Sequence, residues 1–462
     1  MPHTHGHHEH VPGSWNRTTG ASSRAADLAA ATPAHRDRYV DLLRALAIVV
    51  VVIGHWTISA VTVDRGRLGW ANVIAALPWA HPLTWLFQVM PVVFLVGGYA
   101  NAASWTSHRG GGTSAAGWVR SRALRLLRPT AAFLAVLVTG YGAALALGAD
   151  VQVARAAVWA SAISLWFLVV YLAVTSMAPL LLAADRRWGL GGVLVLVGVV
   201  AAGDAARLLT GHAAAAGASY LAAWAAMHQL GVAWYRGALT RARWPAFALV
   251  GGGAAALVVL TGWGPYAVTM VGGAPPPDLQ NTAPPTLALL ALASAQAGAV
   301  LLLRPTADRV LQRPRLWLVV VAVNAVVLTV YLWHMVPVVI AGTTLVANGA
   351  LEQREVGTAA WFAWRLPWLA ILAVMLVAIV AVTARWEHRM LSVGRVEPPP
   401  VVVGTGVVAS LAGLAGLGVG GPEGLLPTAA GVPVGELLLF ALGLALLTGR
   451  QRPRGSSPEP GS

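Results

Sequence analysis

From residue 41 onward the chain alternates between long apolar runs and short polar loops rich in arginine. The runs fall at 41–62, 82–103, 130–149, 159–183, 189–209, 216–235, 245–263, 286–303, 317–345 and 361–383. Each has about the twenty residues a helix needs to cross hydrocarbon. Two more, weaker and rich in glycine, close the chain at 402–420 and 432–449. The pattern predicts an all-α polytopic membrane protein, a ten-helix transmembrane core followed by a C-terminal two-helix hairpin. Residues 1–37 form a polar, His-rich, disordered tail, 38–398 the core, 399–449 the hairpin and 450–462 a disordered tail.

Composition agrees. Of 462 residues 57% are hydrophobic and only 10% charged, against about 25% charged in soluble domains. The net charge of +14 raises the question of nucleic acid, but the arginines sit in short loops between apolar runs, where topology explains them. With both termini placed in the cytoplasm, every loop assigned to the inside carries arginine. Only Arg65, Arg67, Arg155, Arg207, Arg354 and Arg365 fall outside. No cleavable signal peptide is visible, so the first span is expected to act as an uncleaved anchor. The absence of cysteine rules out disulfides and a cysteine nucleophile. His3, His5, His7, His8 and His10 would suit a metal ion, but the simpler reading is a solvated His-rich tract, and no metal site is expected.

The chemistry concentrates on DLLRALAIVVVVIGHW, Asp41–Trp56. An ionisable side chain inside a span is costly and marks a site by default. Arg44 and His55 are eleven residues apart, so they share one helical stripe about 16 Å long, from the membrane surface to near mid-bilayer. Neutral imidazole moves protons near neutral pH, although a lone intramembrane histidine also serves as a helix–helix hydrogen-bond partner. Guanidinium pairs phosphates, although Arg44 could equally snorkel to the interface. Asp41, about 21 Å from His55, is expected to cap the helix start or to pair with Arg44.

Other polar groups are sparser. WVRSRALRLLRP places Arg122, Arg125 and Arg128 as a basic ridge at i, i+3 and i+6 that would suit a polyphosphate, or merely anionic lipid. In the ninth run Asn324, Tyr331 and His334 share a face, and His334 reaches a depth comparable with His55, which suggests a polar cavity between spans one and nine, or else a Tyr/Trp/His belt nearer the interface. Trp166, Tyr171, Gly97, Gly98, Tyr99 and Asn101 are weaker signals, and the diglycine allows close packing or local unwinding. His228, Gln229 and Gln296 read as helix–helix glue. The loop 264–285, with GGAPPPDLQNTAPP, is either a lid or a linker.

Taken together these motifs resemble the integral-membrane acyltransferase-3 family. RYVDLLRALAIVVVVIGHW is similar to its first helix, with an arginine, ten residues and a histidine. MPVVFLVGGY, RALRLLRP, LWFL and YLWH resemble its later motifs in order, over about residues 38–385, and NTAPPTLALLALASAQAGAVLLLRP resembles an actinobacterial branch. Gly97-Gly98 stands where many members carry Ser-Gly. The resemblance implies O-acyl transfer from a cytoplasmic acyl-CoA, commonly acetyl-CoA, to a hydroxyl on a sugar, glycan, glycolipid or secondary metabolite, in a bacterial plasma membrane. It implies no permanently bound cofactor, and as partners only membrane lipid, donor and acceptor. His55 would be the catalytic base, or briefly accept the acyl group. Arg44, Arg122 and Arg125 would hold the CoA phosphates, and Tyr331, His334, Trp166 and Asn324 would position substrate. The competing expectations are a transporter or exporter of an organic anion or envelope precursor, and a structural subunit without chemistry.

Overall fold

Helix α1 (Arg38–Ile58) begins where Asp37 caps it, its carboxylate accepting from the backbone N–H groups of Tyr39 and Val40. A side-chain cap of this kind is worth about 1 kcal/mol. Of the two roles expected for Asp41, the structure shows the pairing with Arg44, at 3.1 Å, and Asp41 also meets Arg36 at 2.5 Å. The Tyr39 hydroxyl donates to the Val300 carbonyl at 2.7 Å, and Arg38 lies 5.0 Å over the Trp317 ring. The start of α1 is thereby fixed to two later helices. Its end falls short of the expected residue 62. Strand β1 (Ser59–Asp64) takes over, paired antiparallel with β2 (Arg67–Asn72), with Ser59 opposite Asn72. The β-branched run Val61-Thr62-Val63 favours strand over helix. His55 therefore sits in the last turn of α1, farther along the span than the expected mid-bilayer depth.

The computed structural model describes residues 36–449, apart from 65–66, 113, 273–277, 347–348, 350–353, 388–396 and 420–431. Of the predicted tails, residues 1–35 and 450–462 lie outside the described residues. Among these residues ten helices are long and apolar enough to cross a membrane. Helix α2 (Met90–Gly110) is preceded by a single turn, Thr84–Phe87. Helix α3 (Ala115–Ala146) starts fifteen residues earlier than the third apolar run, so the basic ridge is part of it rather than a separate short helix. The fourth run is divided into α4 (Val151–Ala162), α5 (Leu165–Ser176) and α6 (Ala178–Trp188). Next come α7 (Gly191–Thr210), α8 (Ser219–Tyr235), α9 (Trp244–Gly262) and α10 (Leu287–Val310).

The ninth run is broken into α11 (Pro314–Ala325), α12 (Val327–Trp333) and α13 (Val336–Ala341), with Val326 and the His334–Met335 pair at the joints. Broken backbone at membrane depth survives only where protein surrounds it. His334, fully buried, occupies such a joint. Helix α14 (Ala359–Glu387) completes the core.

At the centre lies α8, buried along most of its length. It crosses α2 closely: a Cβ added at Gly98 would collide with the His228 carbonyl, and one at Gly231 with that of Leu95. Close packing, not unwinding, is thus what Gly98 provides. An aromatic cluster fills the adjoining space, with Phe94 stacked 4.7 Å from Trp224 and edge-on to Phe167 at 5.6 Å.

The described residues of the loop 264–285 are tied to the helices around them. Met270 is fully buried in it, and its carbonyl accepts from Gln88 at 2.8 Å. Trp85 donates to the Val268 carbonyl at 2.7 Å, and the Asn281 amide donates to the carbonyls of Ala267 and Thr269. The Tyr266 hydroxyl donates to Asp204 at 3.0 Å. Burial and that carboxylate push the Tyr266 phenol well above its ordinary range.

The C-terminal hairpin consists of α15 (Pro400–Val419) and α16 (Val434–Thr448). Its glycines are contact points: Gly406 packs against Gly443, and Gly413 against Phe440. Buried Arg120 of α3 holds the hairpin by donating to the carbonyls of Leu447, at 2.7 Å, and Thr448, at 3.3 Å. A guanidinium suits these carbonyls, which the helix C-terminus leaves unpaired.

Candidate active site

Two residues 279 apart in sequence meet where α1 ends and α12 breaks. The His55 Nδ1 lies 2.7 Å from His334 Nε2. The rings stack with centroids 5.0 Å apart and planes 16° from parallel. The predicted cavity between spans one and nine is, at this point, a direct hydrogen bond.

Elementary accounting fixes where the protons sit. His334 Nδ1 is 2.6 Å from the Tyr331 carbonyl, an oxygen that can only accept, so Nδ1 carries hydrogen. Neutral His334 then has a bare Nε2, which must accept. His55 is therefore the donor through Nδ1, and its own Nε2 keeps a lone pair. Among the described residues that nitrogen has no hydrogen-bond partner, and His55 is only half-buried, whereas His334 is fully buried. An oriented base with an open nitrogen is the result. The next residue tightens the geometry: Trp56 Nε1 donates to the His334 carbonyl at 2.6 Å.

Tyr331 holds the array from behind. It is buried, its hydroxyl donates to the Ser164 carbonyl at 2.8 Å, and its own carbonyl takes the His334 proton. The hydroxyl hydrogen is thus committed to the α4–α5 joint. Asn324 is also engaged, donating to the carbonyls of Asp41 and Val320, both at 2.9 Å, so it ties α11 to α1. Trp166 packs in the aromatic cluster, 6.2 Å from Trp224 and 6.3 Å from Phe167.

The arginines gather at the other end of the α1 stripe. Arg122 lies within electrostatic range of both Arg125 and Arg44, and of Tyr171. It also hydrogen-bonds Ser104 and sits 5.4 Å over the Trp118 ring. Arg125 is exposed, while Arg44 and Arg122 are half-buried. Three guanidinium groups thus converge about 16 Å from His55 along α1. They are suited to a polyanion, since each offers a planar fork of donors.

Sequence reading did not find Asp37, which caps α1 and receives both Tyr99, at 2.8 Å, and Arg304, at 2.7 Å. Its place one residue before the helix is the usual signal for a cap. Ser164 and Trp56 were likewise missed. Their partners are far away in the chain, and no local pattern marks them.

Residues 37–385 match the family model described as Acyltransferase domain. No curated protein and no solved structure matches the chain.

Proposed function

Because the chain belongs to the acyltransferase-3 family and is accordingly a membrane acyltransferase, we propose that it transfers an acyl group, acetyl in the simplest case, from acyl-CoA to an acceptor hydroxyl. The acceptor class is a sugar, glycan, glycolipid or secondary metabolite. Arg44, Arg122 and Arg125 hold the CoA phosphates at the cytoplasmic face, and the pantetheine arm follows the α1 stripe toward His55.

His55 Nε2 takes the proton of the acceptor hydroxyl as the oxygen attacks the thioester carbonyl. The tetrahedral intermediate collapses by breaking the C–S bond, and the imidazolium returns the proton to the CoA thiolate. His334 keeps His55 in the Nδ1–H tautomer and accepts a charge-assisted hydrogen bond once His55 is cationic. Its role parallels that of the carboxylate in a hydrolase triad, where the third group orients the base. The observation that carries this reading is the hydrogen-bonded order Tyr331 carbonyl, His334, His55, which leaves one accessible basic nitrogen.

The test is release of free CoA thiol from acetyl-CoA by the purified full chain, supplied with a lipid and glycan extract. Acceptor-dependent thiol release with an acetylated product by mass spectrometry supports the reading. Movement of an organic anion across vesicles with no thiol release would point instead to transport.

A further inference from the structure

Arg365 stands on the arginine-poor side of the topology, where charge bias gives no reason for a cation. It belongs to the second turn of α14. An arginine near the end of a span ordinarily snorkels toward the headgroups. Exposure along α14 shows a different placement. Phe362, Trp364 and Leu366 form the exposed face, Leu366 at 74%, whereas Trp361 and Trp368 are buried. Trp361, Arg365 and Trp368 stand at i, i+4 and i+7, so the guanidinium shares the inward stripe.

Its contacts point the same way. Arg365 Cζ lies 4.1 Å from the Trp361 ring centroid, and Nη1 donates to the Ser59 carbonyl at 3.4 Å. Ser59 is the residue whose backbone N–H closes the last turn of α1 on the His55 carbonyl. The guanidinium is thus about one turn, or about 6 Å, beyond His55 along the span. Helix α14 packs against α1, α12 and α13, the elements that carry and flank the imidazole pair. Among the described residues no carboxylate lies within ion-pair distance of Arg365, and its buried Nε has no hydrogen-bond partner. One turn deeper on the same stripe, the buried Trp368 Nε1 is also without a partner among them. Arg207, on the same side of the topology, differs in having Asp204 within electrostatic range.

A half-buried guanidinium with no counter-charge is costly, and such a group marks a site for an anion. Trp361 covers one face of the guanidinium plane, which leaves the donors along its edge for a planar or tetrahedral oxyanion. We propose that Arg365 binds an anionic group of the acceptor, a carboxylate or phosphate set about one helical turn from the hydroxyl that His55 deprotonates. The proposal rests on the acyl-transfer reading above and narrows the acceptor to the anionic members of its class.

The experiment supplies the purified full chain, in phosphatidylcholine nanodiscs, with radiolabelled acetyl-CoA and the lipid and glycan extract. Labelled products are separated by anion exchange and identified by mass spectrometry. The label should elute with products that carry a carboxylate or phosphate. Octyl glucuronide and octyl glucoside, which differ only in a carboxylate against a hydroxymethyl group, are then compared as competitors below their micellar concentrations. The glucuronide should inhibit at about tenfold lower concentration, the worth of a hydrogen bond to a charged group. Its advantage should shrink at high salt. Arg365→Gln should remove the advantage and raise the acceptor KM about tenfold, with the acetyl-CoA KM moving less than about twofold. Arg365→Lys, which keeps the charge, should recover part of both. A merely structural role would not sort competitors by charge. Label on neutral products, or equal inhibition by the two glycosides in the unaltered chain, would overturn the proposal while leaving acyl transfer in place. Loss of the Arg365→Gln effect when phosphatidylglycerol replaces phosphatidylcholine would make the residue a lipid anchor and overturn it as well. No acetylated product from the unaltered chain would defeat the acyl-transfer reading itself, and this proposal with it.

Discussion

His55 and His228 are both histidines inside apolar helices, and the contrast between them shows what makes an imidazole available for chemistry. His228 is 1% exposed. Its Nε2 faces the Asn101 amide at 3.2 Å, and its Nδ1 is enclosed without a partner among the described residues. Neither nitrogen can meet a substrate, and the backbone on either side is pressed against α2 at Gly98 and Gly231. His55 has the reverse arrangement. Its inner nitrogen is held by a fixed acceptor, and its outer one is open. Availability here depends on how a partner allocates the two ring nitrogens, and burial alone does not decide it.

The first way to break the comparison is His55→Ala. It should lower turnover by about a hundredfold or more, the usual worth of a positioned general base. Unchanged helical content and melting would show that the protein is still folded. If conversion survives, His55 has no catalytic role even though the family assignment stands.

His334→Ala should cost less, about tenfold to a hundredfold in kcat with KM little changed, because the base remains but its tautomer is no longer imposed. His334→Gln, which offers an amide oxygen to His55 Nδ1, should recover part of the loss. A purely structural role for His334 would show no such recovery. The pH profile sharpens the point: the base must be neutral to accept a proton, so kcat/KM should fall as pH drops through the imidazole titration. The His334→Ala variant should shift that acid limb. A limb that does not move would remove His334 from the positioning role.

His228→Ala should leave turnover within about twofold and lower stability by about 2 kcal/mol, as for other large-to-small changes in a packed interior. A large kinetic loss would erase the distinction drawn between the two histidines. The smallest effect belongs to Arg122→Ala combined with Arg125→Ala. It should weaken CoA binding by about fivefold to tenfold at low salt and less at high salt, because half-exposed charges are screened. Identical titration isotherms would exclude both residues from the donor site.

Much of this arrangement was legible in the sequence. The apolar runs are long, so the helical membrane architecture follows directly from them. The Arg44–His55 stripe is local to one helix, and the ridge of Arg122 and Arg125 is local to another, so periodicity alone locates both. What was not legible depends on distant contacts. Nothing local pairs His55 with His334 across 279 positions. The breaks at Ser164 and His334 carry no proline at the break itself, and their freed backbone groups find partners only in the folded protein. The apolar run begins at Asp41 and so points to a helix start there, yet the helix begins at Arg38, and Asp37 caps it. The glycines of the last two helices weakened them as apolar spans, but the same glycines let α15 and α16 approach closely.

The central claim is that His334 leaves a bare, accessible Nε2 on His55. Nitrogen-15 NMR of the histidine-labelled full chain in nanodiscs, with His55→Ala and His334→Ala used for assignment, reads both ring nitrogens directly. The account predicts a protonated Nδ1 and an unprotonated Nε2 on His55 at neutral pH, with the protonated Nδ1 signal lost or exchanged in His334→Ala. A His55 protonated at Nε2 in the unaltered protein would contradict it.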